Sequence, residues 1–284
     1  MRACYLLGYP VGHSMSAVMH NSAFKELDLD YVYELRSVKP EGLDECVNGV
    51  LREPQVRGAN VTIPHKVSII EFLDERDEDA SIIGAVNTIV NDDGHLTGYN
   101  TDVTGVKRAL GEKYGDLDGA KAVMIGAGGA AKAIGYHLSS SCRELRILNR
   151  TTRRAEELAE YLSGLAGCSA MVSASPLSRS HMAEALEGTD ILVNATPVGM
   201  TPGIDETPVD GDLLGPGLVV LDAVYNPLRT RLIREAEEAG AATVTGLSML
   251  VYQGAEAFRL WTGRDAPEEL MARAASEALG GAAH

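Results

Sequence analysis

Short apolar runs alternate with helical stretches through the second half of the chain, and this alternation constrains the fold more than any other feature. The strand-like runs are AKAVMIGAG, ELRILN, DILVNA and LVVLDAV, and the helical stretches between them include TTRRAEELAEYL and TRLIREAEEAG. Strands that alternate with helices of this length are typical of βαβ units, whose strands run parallel. The sequence therefore predicts an α/β fold with a parallel sheet in this half.

The first hundred residues show a similar alternation. The runs RACYLLGY, YVYELRSV and VRGANVT predict strands, and helices are predicted at SAVMHNSAFKEL, at PEGLDECVNGVL and from Lys66 to Asp74. Asp93-Gly94 within VNTIVNDDGHLTGYN predicts a hairpin. A length of 284 residues suggests about two domains, and glycine and alanine become dense after the turn-like DLDG at 116–119. From Ser248 we expect two helices, and the tail GGAAH is expected to fray.

A glycine-rich turn follows the first strand of the second half. In AVMIGAGGAAKAIGYHL, Gly126, Gly128 and Ala131 match G-x-G-x-x-A, with Gly129 in addition. Glycines allow the backbone to approach a pyrophosphate, and the following helix offers its N–H groups and the positive end of its dipole. The alternative is a tight strand–helix turn without a ligand. The strand before it and the helix after it favour a dinucleotide site.

The end of the next strand indicates which dinucleotide binds. An NAD site usually has an acidic residue about 20 residues after the glycines. Here the strand ends in Asn149-Arg150-Thr151, and Arg154 follows. Guanidinium groups match a phosphate, whereas arginines at a helix start are unfavourable for the helix dipole. We therefore expect NADP rather than NAD.

Lysine is scarce in this chain: only seven of the 25 lysine and arginine residues are lysines. One of them, Lys66, ends the stretch NVTIPHK, directly after a strand that Pro64 terminates. Lysine can lose its proton and arginine in practice cannot, so a lysine aimed by a strand end suits proton transfer. A helix is predicted to begin near Asp102. The alternative is a surface salt bridge without effect on rate.

Composition excludes several functional classes. A net charge of −15 argues against nucleic-acid and anionic-membrane partners, and no apolar run approaches the roughly 18 residues of a membrane span. The N-terminus is typical of a first strand and not of a signal peptide. The four cysteines are scattered and the histidines dispersed. We therefore expect a cytoplasmic protein with no metal, nucleic-acid or membrane partner.

Nine motifs appear in order from residue 8 onward, and together they resemble the shikimate dehydrogenase family. They are GYPVGHSMS, NVTIPHK, GAVNT, GYNTD, GAGGAA, NRTTRRA, NATPVGM, DAVYNP and GLSMLVYQGA. The family often has proline after its second N-terminal serine, where this chain has Ala17. The resemblance implies reversible NADP-linked interconversion of shikimate and 3-dehydroshikimate, a step in aromatic amino-acid biosynthesis. It also implies two α/β domains flanking a cleft: a substrate-binding and catalytic domain at 1–103 plus 247–284, and a Rossmann-type NADP domain at 104–246.

The resemblance also assigns roles to residues at matching motif positions. It implies that Lys66 and Asp102 form the catalytic pair and touch the substrate. The substrate carboxylate would be held by Ser14, Ser16 and Tyr225, and the ring hydroxyls by Thr62, Asn87 and Gln253. The cofactor phosphates would contact Gly126, Ala127, Gly128, Gly129, Ala130, Asn149, Arg150, Thr151 and Arg154. The nicotinamide side would be lined by Thr196, Ala223, Gly246 and Met249.

Three further expectations depend on less of the sequence. Ser14 and Ser16 are two residues apart, so in an extended segment both hydroxyls would point the same way and grip one carboxylate. Taken singly, each serine is more typical of a turn or cap. The acidic run DERDEDA at 74–80 is typical of a solvated face, and Glu78 within it is a candidate cofactor contact.

Two other functions stay open. A quinate or quinate/shikimate dehydrogenase would share the fold and mechanism but would often use NAD, which the arginines after Asn149 disfavour. A non-catalytic ligand sensor would be expected to lose Lys66 or Asp102, and this chain keeps both. A homodimer is the assembly to test.

Overall fold

In the computed structural model, which describes residues 1–281, the chain divides into two units. The first unit comprises Met1–Thr104 and the segment from Val251 onward, and the second comprises Gly105–Leu250. The last three residues of the tail that was expected to fray lie outside the described residues.

The first unit contains a mixed six-stranded sheet. Its strands are β1 (Arg2–Gly8), β2 (Tyr31–Ser37), β3 (Val56–Val61), β4 (Glu75–Arg76), β5 (Thr88–Asp92) and β6 (His95–Tyr99). Their order is β2-β1-β3-β5-β6-β4. β1 runs parallel to β2 and β3, whereas β5 is antiparallel to both β3 and β6. The predicted hairpin is confirmed, because Asp92 pairs with His95 across a turn in which Asp93 and Gly94 both have positive φ.

The second unit contains a six-stranded, all-parallel sheet. Its strands are β7 (Lys121–Ile125), β8 (Glu144–Asn149), β9 (Met171–Pro176), β10 (Ile191–Asn194), β11 (Val219–Asp222) and β12 (Ala242–Val244). Read along the sheet they lie in the order β9-β8-β7-β10-β11-β12. Numbered within the unit this is 3-2-1-4-5-6, the order of a Rossmann fold. The predicted α/β class with a Rossmann-type second unit is therefore confirmed.

Ten α-helices connect or flank these strands within residues 1–281. They are α1 (Ser16–Glu26), α2 (Leu43–Cys46), α3 (Glu78–Ile83), α4 (Asp102–Lys113), α5 (Gly129–Ser141), α6 (Thr152–Ser163), α7 (Arg179–Leu186), α8 (Arg231–Glu238), α9 (Gly246–Thr262) and α10 (Glu268–Gly281). The break expected near Thr262-Gly263 is confirmed.

The helix predicted from Lys66 to Asp74 is wrong in type and length. The structure has a short 3₁₀ helix at Ser68–Phe72, in which the side chain of Ile69 is fully buried. Its i→i+3 bonds include Ile70 N–H to the Val67 carbonyl at 3.3 Å. Its five residues form one short 3₁₀ turn, a type that is common as a connector between other elements. Lys66 therefore lies in the turn that precedes this short helix, and not within a helix.

Each unit has its own apolar core. In the first unit the core includes Leu51, Ile69 and Leu96, which are fully buried. Trp261 of α9 is also buried, and its indole N–H donates to the Ile89 carbonyl at 2.9 Å. In the second unit the core includes Ile125, Leu192 and Val220. These cores fix the strand ends from which the candidate functional residues project.

Candidate active site

Lys66 and Asp102 form a tight, shielded ion pair. Lys66 Nζ lies 2.5 Å from Asp102 Oδ2, and the two side chains are only 15% and 8% exposed. Lys66 follows β3 by five residues, and its carbonyl accepts a hydrogen bond from Val86 N–H at 2.7 Å. Asp102 is the first residue of α4. A pair this shielded is not the exposed salt bridge of little consequence that was the alternative.

Asn87 connects the ion pair to a third predicted site residue. Its Nδ2 donates to Asp102 Oδ1 at 2.9 Å and also lies 3.3 Å from Gln253 Oε1. Its Oδ1 accepts from Thr101 N–H at 2.7 Å, which fixes which end of the amide faces Asp102. Both amide side chains are buried. Four predicted residues thus converge in the first unit, because Lys66, Asp102, Asn87 and Gln253 lie in one hydrogen-bonded group.

Ser14 and Ser16 also converge, but not as predicted. The segment is a turn followed by the start of α1, so the expectation of an extended strand is wrong. The two hydroxyl oxygens nevertheless lie 3.1 Å apart, and Ser16 N–H donates to Ser14 Oγ at 3.2 Å. A turn brings i and i+2 together through this local bond. The pair presents two adjacent hydroxyl groups, which suits an anionic oxygen ligand.

Thr62 follows β3 directly and is half-buried. Its N–H donates to the Leu7 carbonyl at 2.8 Å, and its carbonyl accepts from His65 N–H at 2.9 Å. A Cβ at Gly8 would lie 2.3 Å from Thr62 Cγ2, so glycine at position 8 is what lets the end of β1 approach this residue. Thr62 is therefore held by backbone bonds on both sides.

The glycine-rich turn has the geometry that a phosphate-binding loop requires. Gly126 has φ +112, and a Cβ there would lie 3.0 Å from the Ala195 carbonyl oxygen. Gly128 is the N-cap of α5, which begins at Gly129, and Gly128 is exposed with open space around its Cα. Ala127 and Ala130 are half-buried in the same turn. At Gly128 the main chain is thus free of side-chain obstruction, and the N-terminus of a 13-residue helix follows.

The predicted phosphate-binding arginines, Arg150 and Arg154, are exposed in the turn and the helix start that follow β8. Arg150 and Arg154 have no ion pair within residues 1–281, whereas Arg153 pairs with Glu157 at 2.8 Å. Asn149 ends β8, and its Nδ2 donates to the Thr151 carbonyl at 2.9 Å, which shapes the turn into α6. Two uncommitted guanidinium groups beside a fixed turn can bind an anion.

Thr196 is held by a buried polar cluster that the sequence analysis did not identify. Asn194 Oδ1 accepts from Thr196 N–H at 3.0 Å and from Thr196 Oγ1 at 2.6 Å. Asn194 Nδ2 donates to Asp222 Oδ1 at 2.9 Å, and Thr230 Oγ1 donates to Asp222 Oδ2 at 2.6 Å. Burial raises the pKa of Asp222 above its ordinary value. The cluster fixes the chain that follows β10.

Three other candidates on the predicted nicotinamide side also lie in the second unit. Ala223 follows β11, and Gly246 begins α9, which contains the buried Met249. A Cβ at Gly246 would lie 2.6 Å from the Ala223 carbonyl oxygen. Only glycine therefore permits this close contact between the start of α9 and the end of β11.

Models of the shikimate dehydrogenase family match three stretches of the chain. A shikimate dehydrogenase substrate-binding domain matches residues 6–89, a shikimate/quinate 5-dehydrogenase model matches 108–204, and a shikimate 5'-dehydrogenase C-terminal domain matches 246–275. A shikimate dehydrogenase (NADP(+)) of Methanopyrus kandleri is 50% identical over 277 residues, which are 96% of this chain and 94% of that protein. The chain belongs to the shikimate dehydrogenase family. The resemblance drawn from the nine motifs is confirmed.

Solved structures of related enzymes have the same fold. A shikimate 5-dehydrogenase of Thermus thermophilus, in complex with NADP(H) and shikimate, has a TM-score of 0.87 at 38% identity and covers 98% of this chain and 100% of its own. A quinate dehydrogenase of Corynebacterium glutamicum, in complex with NAD, has a TM-score of 0.88 at 31% identity, with 96% and 98% covered. One of these relatives is thus in complex with shikimate and NADP(H), and the other with NAD.

Two predicted site residues lie in a different unit from the residues with which they were grouped. Tyr225 lies after β11 in the second unit, whereas Ser14 and Ser16 lie in the first. Glu78 is exposed at the start of α3 in the first unit, whereas the other cofactor candidates lie in the second. The acidic run around it is mostly exposed, and Asp77 within it caps α3 by accepting from Ala80 N–H at 2.8 Å.

Several buried polar residues were missed. Asn60, Thr88 and Thr101 surround Asn87, and Asn194, Asp222 and Thr230 support Thr196. Asn60, Thr88, Asn194 and Asp222 are buried within strands, where a polar side chain needs a hydrogen-bond partner, whereas Thr101 and Thr230 directly precede helices. For the four strand residues, a polar residue within a strand-like apolar run was the signal available in the sequence.

The described residues 1–281 contain no group of three or more histidine, cysteine, aspartate or glutamate side chains placed to hold a metal ion. Among the same residues, no helix is long and apolar enough to cross a membrane.

Proposed function

We propose that this chain catalyses the reversible, NADP-linked interconversion of 3-dehydroshikimate and shikimate, a step of aromatic amino-acid biosynthesis. The observation that carries this proposal is the shielded Lys66–Asp102 pair, joined by Asn87, in a member of the shikimate dehydrogenase family. A reversible oxidation of a ring alcohol needs one group that moves a proton and a fixed frame around it. The pair and its amide neighbours supply both.

Residues of the first unit would bind the substrate and transfer the proton. NADP, when bound, supplies or accepts the hydride at the reacting ring carbon. Lys66 Nζ gives a proton to the ring oxygen in reduction and takes it back in oxidation, while Asp102 holds the ammonium group in place. The amides of Asn87 and Gln253 bind the neighbouring hydroxyl groups, as does Thr62.

The substrate carboxylate would be bound by the adjacent hydroxyl groups of Ser14 and Ser16, whose oxygens lie 3.1 Å apart. Tyr225 is a third proposed contact. Hydroxyl groups that donate to a carboxylate make charge-assisted hydrogen bonds, which are stronger than neutral ones. The ring would thus be oriented by its carboxylate at one end and by amides at the other.

The second unit fits the cofactor. The turn from Gly126 to Ala130 offers unobstructed main chain at Gly128, directly before α5, which suits a pyrophosphate. The turn from Asn149 to Arg154 carries two exposed arginines, Arg150 and Arg154, that form no ion pair with residues 1–281 and suit the extra phosphate that distinguishes NADP from NAD. Thr196, Ala223, Gly246 and Met249 would line the nicotinamide side.

Further proposals follow from this function. The first unit would bind substrate and the second NADP, which assigns roles to the two predicted domains. Glu78 is kept as a cofactor contact from the first unit. The cytoplasmic location and the homodimer also stay predictions, which fractionation and sedimentation of the full chain would test.

A panel of shikimate and quinate, each with NADP and NAD, tests the function. Turnover of shikimate with NADP, at a kcat/KM far above the other three combinations, would support the proposal. The structural likeness to a quinate dehydrogenase in complex with NAD makes quinate turnover the second candidate. Preferential use of quinate would establish it instead, and binding without turnover would indicate a ligand sensor.

A further inference from the structure

A line of buried hydrogen bonds leads from the ion pair into the first sheet. Asp102 Oδ1 accepts from Asn87 Nδ2 at 2.9 Å, and Asn87 Oδ1 lies 3.1 Å from Thr88 Oγ1. Thr88 is the first residue of β5 and is fully buried. The proposed mechanism uses the amide of Asn87 but assigns nothing to the hydroxyl group behind it.

The line continues across β3 to β2. Thr88 Oγ1 accepts from Asn60 Nδ2 at 2.9 Å, and Asn60 Oδ1 accepts from the Tyr33 hydroxyl at 2.7 Å. Asn60 is 4% exposed and Tyr33 is 2% exposed. Three polar side chains are therefore buried in the sheet behind the ion pair, where unpaired polar groups would be costly.

Two backbone groups fix the direction of these bonds. The Asn87 carbonyl lies 3.3 Å from Asn60 Nδ2 and can only accept, so the nitrogen of the Asn60 amide faces Thr88. The Thr101 N–H lies 2.7 Å from Asn87 Oδ1 and can only donate, so the nitrogen of the Asn87 amide faces Asp102. Thr88 Oγ1 accepts from Asn60, so its one hydrogen goes to Asn87 Oδ1 or to Thr101 Oγ1, both 3.1 Å away. Thr101 Oγ1 can itself donate to Asn87 Oδ1 at 3.2 Å, so by either route a hydroxyl hydrogen reaches the oxygen end of the Asn87 amide. The donors along the line thus point toward the carboxylate.

We propose that Thr88, supported by Asn60 and Tyr33, is a positioning residue for the Lys66–Asp102 pair. Its hydroxyl holds the oxygen end of the Asn87 amide, so that the nitrogen end stays directed at Asp102, which in turn aims Lys66. The inference rests on the proposed function of that pair.

Strand packing does not require this hydroxyl group. Position 88 begins a buried strand, where a β-branched side chain is favoured, and valine would fill the same space. Threonine adds only the polar atom that touches Asn60, Asn87 and Thr101. The hydroxyl is therefore a property of the network and not of the fold.

Three variants of the full chain separate positioning from stability. Thr88→Val removes the hydroxyl and keeps the shape, Thr88→Ser keeps the hydroxyl, and Tyr33→Phe removes the first donor of the line. In assays well below its melting temperature, we expect Thr88→Val to lower kcat by about tenfold or more. Small misplacements of catalytic groups can cost up to about 10²-fold in rate. Thr88→Ser should stay within about threefold of the unsubstituted chain, and Tyr33→Phe should lie between them. KM for NADP should not change in any of the three.

A second readout does not depend on turnover. The Asn87 side-chain amide gives two ¹⁵N-correlated proton signals, identified by their absence in Asn87→Ala. In the ligand-free protein these signals should shift and exchange faster with solvent in Thr88→Val, but not in Thr88→Ser. In a background of Asp102→Ala, Thr88→Val should cause no further loss of kcat, because it acts through that carboxylate.

The outcomes are distinguishable. If Thr88→Val keeps its kcat, or leaves the Asn87 amide signals unchanged, or still lowers kcat after Asp102 is replaced, the positioning role is wrong. A loss of thermal stability with normal kcat would mean that Thr88 serves the fold alone. If Lys66→Ala and Asp102→Ala themselves keep normal kcat, the proposed function of the pair fails, whatever Thr88 does.

Discussion

Replacing Lys66 by arginine tests whether this side chain moves a proton or only carries a charge. Arginine keeps the positive charge beside Asp102 but cannot give up its proton. If Lys66 is the acid–base group, its loss removes a contribution that is typically about 10²–10⁴-fold in rate. At 1.36 kcal/mol for each tenfold, this corresponds to about 2.7–5.4 kcal/mol of transition-state stabilisation. We expect Lys66→Arg and Lys66→Ala to fall within this range of lost kcat while shikimate still binds.

The structure adds a cost in stability that the assay has to separate from the loss of rate. The carboxylate of Asp102 is 8% exposed, and removal of a partner from a buried ion pair can cost about 3–5 kcal/mol. The loss should be smaller here because Asn87 Nδ2 still donates to Asp102 in the alanine variant. Melting temperature should therefore fall more in Lys66→Ala than in Lys66→Arg, although both lose kcat.

Initial rates with saturating shikimate and NADP, followed through NADPH absorbance, give kcat, and calorimetric titration gives shikimate affinity. Lys25→Arg is the matched control, since Lys25 is exposed in the last turn of α1. The double variant with Asp102→Ala should be little slower than either single one, because groups that act as a unit are not additive. Near-normal kcat in Lys66→Arg would refute proton transfer by Lys66 and leave it as a fixed charge.

Three other perturbations have defined outcomes. Replacing Arg150 and Arg154 by glutamine should raise KM for NADP sharply, at about 1.5–3 kcal/mol for each charge-assisted contact, and leave KM for NAD nearly unchanged; equal effects on both cofactors would mean that the arginines are structural. Changing Ser14 and Ser16 to alanine should weaken shikimate binding and spare NADP binding, so an unchanged shikimate affinity in calorimetry would remove them from the site. Burial lowers the pKa of His20 to about 3, below its ordinary value, so the unfolded chain binds this proton more readily than the folded protein and the free energy of unfolding should fall as pH drops from about 6.5 toward 3. In denaturant titrations His20→Phe should flatten this decline. An equally steep decline in the variant would contradict the role given to His20.

The sequence predicted what depends on local pattern. Alternating apolar runs and helical stretches predicted the parallel sheet of the second unit. Asp93-Gly94 predicted the hairpin because few residue pairs adopt positive φ at two consecutive positions. The glycines before α5 predicted an open turn because glycine adopts positive φ readily and has no side chain. These features depend on a few neighbouring residues, so they can be read without knowledge of the tertiary structure.

What the sequence did not predict depends on packing between distant segments. The segment after Lys66 forms a 3₁₀ turn, and β4, which follows that turn, forms only through its pairing with β6. Thr88 and Asn60 are ordinary strand residues until β3 and β5 pair, which brings their side chains within 2.9 Å of each other. The extended conformation assumed for Ser14 and Ser16 was wrong because Ser16 already begins a helix.

The two units use the same buried arrangement with one difference, and that difference bears on the role of the lysine. In each, an asparagine oxygen accepts from a threonine N–H, and the asparagine nitrogen donates to a buried aspartate at 2.9 Å. Within residues 1–281, Asp222 of the second unit has no cation beside it and is held by donors from Asn194, Thr230 and the Val224 N–H. The chain can therefore bury an aspartate with hydrogen bonds alone.

Asp102 already accepts a hydrogen bond from Asn87 Nδ2, so burial of its carboxylate does not require a cation. A lysine there brings a desolvation penalty of its own, and a buried ion pair is weak evidence for stability. The side chain that differs between the two arrangements is also one that can release a proton. The comparison inside one chain thus supports a chemical role for Lys66 rather than a structural one, because the amide and the carboxylate that both units share already hold each other in place.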